Sequence, residues 1–353
     1  MAEQMSADTQ TSTEEERQEF YGRLDPQHVK PLWVEIRKLL ARVPQPKAVP
    51  HRWVYQDVRP LLMESGDLIT AEEAERRVLI LENPALEGLA STTDTLYAGL
   101  QLILPGEIAP AHRHSPSALR FIVEGTGAYT AVDGERAYME EGDLILTPSW
   151  TWHDHGCDGD SPMVWLDGLD IPTIRFMAVQ FAEDYPEPTF PESRPSGDAL
   201  ARYGSNMLPV DVDRGSKNSP VFRYPYEQSR AALEQMQKSG EIDLYEGLKL
   251  EYINPATGGP VMPTMSCFMQ MLPKGFKTEP YRSTDSTVFS VVEGSGTVQI
   301  GDVKFSWTKR DVFAVPTWMQ YQISTNEDSV LFSFSDRVAQ KSLGLWREQK
   351  GNK

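Results

Sequence analysis

Cysteine is nearly absent. Cys157 and Cys267 are the only two in 353 residues, too few for a disulfide scaffold or a cysteine-based zinc site, and the scarcity fits a reducing, cytoplasmic setting. Basic charge is also short: 34 Lys and Arg stand against 51 Asp and Glu, a formal net charge of −17. An anionic polymer would be repelled by most of such a surface, which argues against nucleic acid as a partner. No apolar run reaches the roughly 18 residues a spanning helix needs, and the opening MAEQMSADTQTSTEEERQEF has neither a basic n-region nor an apolar h-region. The expectation is a soluble chain with no membrane partner. What is present, 40% hydrophobic and 24% charged residues with 25 Gly and 26 Pro, is the composition of a folded protein long enough for two domains with real cores.

Residues 1–18 carry hardly any apolar side chain and read as a disordered tail. From Val29 the residues Leu32, Trp33, Ile36, Leu39, Leu40 and Val43 recur at helical spacing, with Lys30, Glu35, Arg37, Lys38 and Arg42 on the other face. The pattern predicts an amphipathic helix entered through Pro31. A second helix is expected from Thr70, where Glu73 follows a Thr cap by three residues. From about residue 95 short apolar runs alternate with Gly, Pro and Asp, the texture of an antiparallel all-β unit. Four prolines between Pro186 and Pro195 mark a connection, AALEQMQK before Gly240 reads as one helix, and the β texture then returns. The expected partition is a tail over 1–18, a partly helical extension over 19–94, β domains over 95–184 and 260–348, and a linker with one helix over 185–259.

The second β domain repeats the first. GEIAPAHRHSPSALRFIVEGTG from Gly106 aligns without a gap on GFKTEPYRSTDSTVFSVVEGSG from Gly275, and GDLILTPSWTWHDH from Gly142 aligns on RDVFAVPTWMQYQI from Arg310. Short strands with Gly-rich turns favour two barrels or jelly rolls, which protect their edges by closure. Residues kept in both copies are most simply explained by the shared fold: Gly106 and Gly275, Glu124 and Glu293, Gly125 and Gly294, Asp143 and Asp311, Pro148 and Pro316, Trp150 and Trp318.

Residues confined to one copy are better candidates for chemistry. Four of the six histidines lie between residues 112 and 155, and the matching positions of the second copy hold none: His112 faces Tyr281, His114 faces Ser283, His153 faces Tyr321, His155 faces Ile323, and Arg120 faces Phe289. Any single histidine is more often an ordinary hydrogen-bonded residue than a ligand. A set confined to one copy is not. Residues i and i+2 of a strand share a face, so His112 and His114 project together, as do His153 and His155. A barrel brings a second strand opposite the first, and three imidazoles suit Fe, Cu, Ni, Mn or Zn better than Ca or Mg. Parity also turns Arg120 inward and Arg113 outward. Glu124 reads as structural because the second copy keeps it.

The pairing of G-x5-H-x-H from Gly106 with G-D-x4-P-x4-H from Gly142 resembles the two-part cupin signature. The usual glutamate ligand after H-x-H is missing, its positions being Ala118 and Leu119. HRHSPSALRFIVEG, PSWTWHDHG, the stretch RWVYQDVRPLLMESGDLITAEEAERRVLILENP and the histidine-free YRSTDSTVFSVVEGSG together resemble the gentisate 1,2-dioxygenase family over nearly all of residues 20–348.

That resemblance implies an all-β bicupin with a catalytic first cupin, a degenerate metal-free second cupin and a partly helical N-terminal extension. It implies one Fe(II) per chain on His112, His114 and His153, and cleavage of gentisate by O2 to maleylpyruvate in a homotetramer. It assigns Arg120 to the substrate carboxylate and His155 to the substrate hydroxyl, both as catalytic groups, and places Arg76, Tyr97, Gly99, Gln101 and Asp167 in the substrate pocket. Three neutral imidazoles leave a divalent charge uncompensated, which favours an anionic chelator such as a carboxylate with an ortho phenolate. Salicylate and 1-hydroxy-2-naphthoate dioxygenases share these ligands. A metal-dependent sugar isomerase would want more cationic residues than Arg113 and Arg120 near the motif, and a non-catalytic cupin is the remaining alternative.

Overall fold

The computed structural model describes residues 12–351. Within them the chain divides into a unit ending at Gln45 and a unit over Pro46–Lys353. The first unit holds the helix Glu14–Leu24, whose Thr13 and Glu16 form a reciprocal capping box, then a short 3-10 turn and the helix Leu32–Leu39, with Pro31 as its N-cap. The tail expected over 1–18 is thus helical from Glu14, because the cap supplies the order that apolar residues do not. Its first eleven residues lie outside the described residues. The amphipathic helix is shorter than its 29–43 pattern, and Leu32, Trp33, Val34, Ile36, Leu39, Leu40 and Val43 are exposed.

The second unit contains the two expected barrels, each made of two antiparallel sheets. In the first, one sheet runs in the order Arg223–Tyr224, Leu144–Thr147, Ala118–Glu124, Met163–Leu169, Tyr97–Ile103, Val78–Ile80, and faces a sheet containing Ile108–His114, His153–Cys157 and Ala128–Val132. The second barrel repeats this arrangement, with His51–Trp53, Val312–Val315, Thr287–Glu293, Ser329–Ser335, Ser266–Leu272 and Leu248–Glu251 in its larger sheet.

Both large sheets therefore recruit strands from outside the expected boundaries. Val78–Ile80 precedes residue 95 and Leu248–Glu251 precedes residue 260, yet each pairs with its own barrel. The outermost strands are exchanged. His51–Trp53 pairs with Val312–Val315 of the second barrel, and Arg223–Tyr224 pairs with Leu144–Thr147 of the first. Each exchanged strand leads into a 14-residue helix, Tyr55–Leu68 or Tyr226–Ser239. The latter ends at Gly240 as the sequence predicts. The former was not foreseen. The helix expected from Thr70 is a single turn, Ala71–Ala74, capped by the Thr70 hydroxyl at Glu73 N.

These crossings are fastened by the residues that both copies keep. Tyr55 N donates to Asp311 Oδ1 and Tyr226 N to Asp143 Oδ1, both at 2.9 Å. Tyr55 Oη and Arg59 bond Glu124, while Tyr226 Oη and Arg230 bond Glu293. The assignment of Glu124 to structure follows from these contacts. Between the barrels, the outward rows of the large sheets form one core that includes Leu119, Phe121, Leu166, Phe332 and Phe334. Phe121 and Phe332 stack with ring centroids 4.1 Å apart. No described helix is long and apolar enough to cross a membrane.

Asp143 is 1% exposed and its Oδ2 lies 2.7 Å from Arg223 Nε, whereas Asp311 lies 3.7 Å from Arg52. Removing one partner of a buried pair costs about 3–5 kcal/mol, less where the other stays partly in water as Arg223 does. Asp143→Ala should therefore lower the unfolding free energy by roughly 2–4 kcal/mol, and Asp311→Ala by less. Urea titrations of the two variants check the order.

Candidate metal centre

The first barrel's inward face is set by strand parity. On Ala118–Glu124 the odd residues Leu119, Phe121 and Val123 enter the core shared with the second barrel, which turns Arg120 to the inside. Tyr97, Gly99 and Gln101 share the inward row of their strand, and Asp167 lies directly across from both Arg120 and Gly99. From the facing sheet His112 pairs with His153.

His112, His114 and His153 converge, their candidate ligand atoms lying within 4.8 Å of one another. Each imidazole has a carbonyl at its Nδ1: Pro110 O at 3.3 Å from His112, Pro116 O at 2.7 Å from His114, and Thr151 O at 2.9 Å from His153. A carbonyl can only accept, so at His114 and His153 these contacts put the proton on Nδ1 and leave the Nε2 lone pair for a metal, whereas His112 Nδ1 also meets Arg76, which can only donate, and its proton is not fixed by these contacts. His153 Nε2 is buried without a hydrogen-bond partner, as a ligand atom would be before coordination. Burial, aided by nearby cationic groups, holds His112 down to about 3 and His153 well below its ordinary range; burial likewise holds His114 to about 4. The three stay neutral. Arg76 Nη2 lies 2.5 Å from Pro110 O and also against His112 Nδ1.

The triad opens on a cavity of about 160 Å³, lined also by Arg76, Val78, Tyr97, Gln101, Arg120, Asp167, Leu169 and Ile171. Such a volume, below the roughly 300 Å³ of ordinary ligand cavities, suits one small molecule. Arg120 is 4% exposed. Its Nη1 donates to Thr147 Oγ1 at 2.5 Å, and its Nε lies 3.5 Å from Asp167 Oδ1. Burial pushes the Asp167 carboxyl up to about 6 against the pull of Arg120. Gly99 leaves room that no other residue could: a Cβ there would lie 2.5 Å from Val78 Cγ1 and 2.9 Å from the Tyr97 hydroxyl.

His155 is fully buried but does not line the cavity. Its ring lies 5.8 Å from that of His153, with Nδ1 at 3.0 Å from Thr130 Oγ1 and Nε2 unpartnered. Arg113 points away as parity predicts, bonded to Glu183 and stacked over Trp150 and Trp152. The sequence reading missed Val78, Leu169 and Ile171, and also Thr147, the partner of Arg120, and Thr130, the partner of His155. A fuller comparison of the copies carries a signal for the last two, since the register matches Thr147 to Val315 and Thr130 to Val298.

In the second barrel the equivalent space is filled. Tyr281, Phe289, Tyr321 and Ile323 belong to one apolar cluster with Val315 and Trp307, and among the described residues only the first-barrel triad forms a group able to hold a metal.

A cupin domain profile matches residues 99–169. Over 346 residues the chain is 54% identical to gentisate 1,2 dioxygenase 1 of Aquipseudomonas alcaligenes, covering 98% of this chain and all of that one. It is 36% identical to a gentisate 1,2-dioxygenase of a Streptomyces species, covering 97% and 98%. The salicylate 1,2-dioxygenase of Pseudaminobacter salicylatoxidans superposes with a TM-score of 0.90 at 35% identity, covering 97% of this chain and 100% of that one. A structure of that enzyme in an adduct with gentisate also gives 0.90 at 35%, covering 98% and 97%.

Anaerobic loading with a divalent transition metal followed by elemental analysis should find about one ion per chain. His112→Ala and His153→Ala should lose it, and Tyr321→Phe should keep it. Two tightly held ions would contradict the filled second barrel.

Proposed function

The chain belongs to the gentisate 1,2-dioxygenase family of ring-cleaving cupins, and we propose that it opens gentisate with O2 to maleylpyruvate, using one Fe(II) held by His112, His114 and His153. The observation that carries this reading is the opening of three neutral imidazoles and a buried guanidinium onto one small cavity. The donor set fits a divalent iron, since imidazole suits it and each ring is oriented from its Nδ1 side. When bound, Fe(II) supplies the one-electron chemistry that lets O2 react with a closed-shell ring, which zinc would not.

The remaining steps belong to the protein's own residues. Arg76 and Arg120 outweigh Asp167 in charge within the cavity lining, so an anion is drawn in. Arg120 pairs with the substrate carboxylate, its planar fork fixing the ring's orientation. Tyr97, Gln101 and Arg76 border the ring, Gly99 leaves the gap in which the Tyr97 hydroxyl sits, and His155 is a neutral imidazole behind His153, outside the cavity lining, bearing on the substrate hydroxyl through His153 and not by direct contact. Apolar walls at Val78, Leu169 and Ile171 limit water. The sugar-isomerase alternative gains nothing from Arg113, which is spent on Glu183 and Trp150, and the full-length similarity to gentisate 1,2-dioxygenases speaks against it. A cytoplasmic homotetramer completes the reading, supported by the apolar residues exposed around the helix Leu32–Leu39. Sedimentation of the full chain tests the assembly.

Iron-loaded protein mixed with gentisate in air should develop the ultraviolet absorption of the ring-cleavage product. The isomerase and the non-catalytic cupin would not produce it. A cavity of about 160 Å³ also predicts that the two-ring 1-hydroxy-2-naphthoate is turned over much more slowly than gentisate, and separately the 5-hydroxyl of gentisate, which donates electron density to the ring and lies on the substrate bordered by Tyr97, predicts gentisate over salicylate. Equal rates in a substrate panel would contradict both.

Removing the guanidinium strands the carboxylate, at roughly 2–5 kcal/mol. In Arg120→Met, kcat/KM for gentisate should fall about 30-fold to several thousand-fold, with iron content unchanged. Arg120→Lys should recover only part of the loss. Arg113→Met, the outward control, should change little, and equal small effects for both arginines would refute the clamp.

A further inference from the structure

Arg120 offers five N–H donors, and among the described residues it spends only one of them, on Thr147. Its Nε has no hydrogen-bond partner, because Asp167 Oδ1 stands off at 3.5 Å. That carboxylate oxygen accepts from the indole N–H of Trp165 at 3.0 Å. All four residues are buried. A free Asp167 would be expected to close onto Arg120 in a bidentate pair, the strongest arrangement open to the two groups, and such a pair would use up the fork. Closing that gap would draw Oδ1 away from the Trp165 N–H from which it accepts. Thr147 takes Nη1 from the opposite flanking strand.

The second barrel serves as an internal control. Strand register matches Arg120, Thr147, Asp167 and Trp165 to Phe289, Val315, Ser333 and Leu331. All four polar members are replaced together in the copy that lacks the chemistry. Thr147 and Trp165 thus vary with Arg120 and the histidines, not with the fold residues that both copies keep.

We propose that Thr147 and Trp165 are positioning residues for Arg120. Thr147 anchors the guanidinium, and Trp165 restrains Asp167 so that Asp167 balances the buried charge without occupying the fork that binds the substrate carboxylate. The proposal rests on the reading of Arg120 as the carboxylate clamp.

The test compares anaerobic calorimetric binding of gentisate and of hydroquinone, which lacks the carboxylate, to zinc-loaded protein, alongside kcat and KM of iron-loaded protein in air. Thr147→Val keeps the shape that Val315 fills in the second barrel. It should weaken gentisate binding and raise KM about 5- to 20-fold, with kcat changed less than about twofold and hydroquinone binding unaltered. Thr147→Ser, which retains the hydroxyl, should stay within about twofold of the parent in every measure, and Trp165→Phe should weaken gentisate about 3- to 10-fold. Unaltered gentisate affinity in both Thr147→Val and Trp165→Phe, with a large loss in Arg120→Met, would overturn the positioning role and leave the clamp standing. Equal losses for gentisate and hydroquinone would also overturn it, by showing general damage to the cavity. Unaltered affinity in Arg120→Met would remove the clamp itself, and the proposal with it.

Discussion

The structure depends on a reciprocal exchange between its two halves. A strand that precedes the first barrel completes the sheet of the second, and a strand that follows the first barrel returns to complete it. An unpaired sheet edge is a liability in water, and here each edge strand is supplied by a segment leading into the other copy's helix. The fastening is electrostatic, buried at the two aspartates and partly exposed at the two glutamates. Asp143 and Asp311 accept from the first backbone N–H of each helix, and Glu124 and Glu293 hold the next turn through a Tyr and an Arg. A carboxylate at a helix N-terminus gains from the unsatisfied N–H groups and from the helix dipole.

This exchange explains why a chemically empty barrel is retained. The second barrel holds the edge strand that leads into the helix Tyr55–Leu68, and its large sheet forms half of the apolar core around Phe121 and Phe332. Its interior is free to be apolar, with Phe289 and Tyr321 where the other copy carries Arg120 and His153. The first barrel bears the opposite burden. It buries a guanidinium, a carboxylate and two imidazoles and half-buries two more, each with a desolvation cost, and the apolar core shared with its neighbour offsets that cost.

Much of this was legible in the sequence because it rests on alternation and repetition. The parity that turned Arg120 inward and Arg113 outward, and the four histidines confined to one copy, are period-two arguments, and a barrel obeys them. Three-residue strands such as His51–Trp53 and Val78–Ile80 carry no period, so strands that pair with the barrels lie outside the expected β domains. The helix Tyr55–Leu68 contains Pro60 and Gly66 and lacks a side-chain cap of its own. Its N-terminus is capped by Asp311, 256 residues away, a signal no local window contains. The helix at Glu14 is the opposite case. Its capping box was as readable as the one at Thr70, but the absence of apolar residues outweighed it. His155 and Thr147 mark a further limit, since parity says which face a residue joins and not how deep along the barrel it lies.

Depth is what separates the cavity from the core within the first barrel. Along each inward row the character changes at one level: Gln101 gives way to Ile103, Arg120 to Ile122, and Asp167 to Trp165 and then Met163. Below that level Ile103, Ile122, Ile145, Met163 and Trp165 close the barrel as one apolar plug. A plug of this kind keeps water from reaching the site from beneath, so charges above it interact in a low dielectric and a carboxylate meeting Arg120 gains far more than it would in water. At the mouth, Leu169 and Ile171 stand at the junction of strand and helix. On the proposed reading, a ligand between plug and mouth would have its carboxylate level fixed by Arg120 and its metal-facing edge fixed by the triad, which would leave it little freedom along the barrel axis. Selection for a single ring then follows from height as well as width, since a second ring would have to displace either the plug or the mouth.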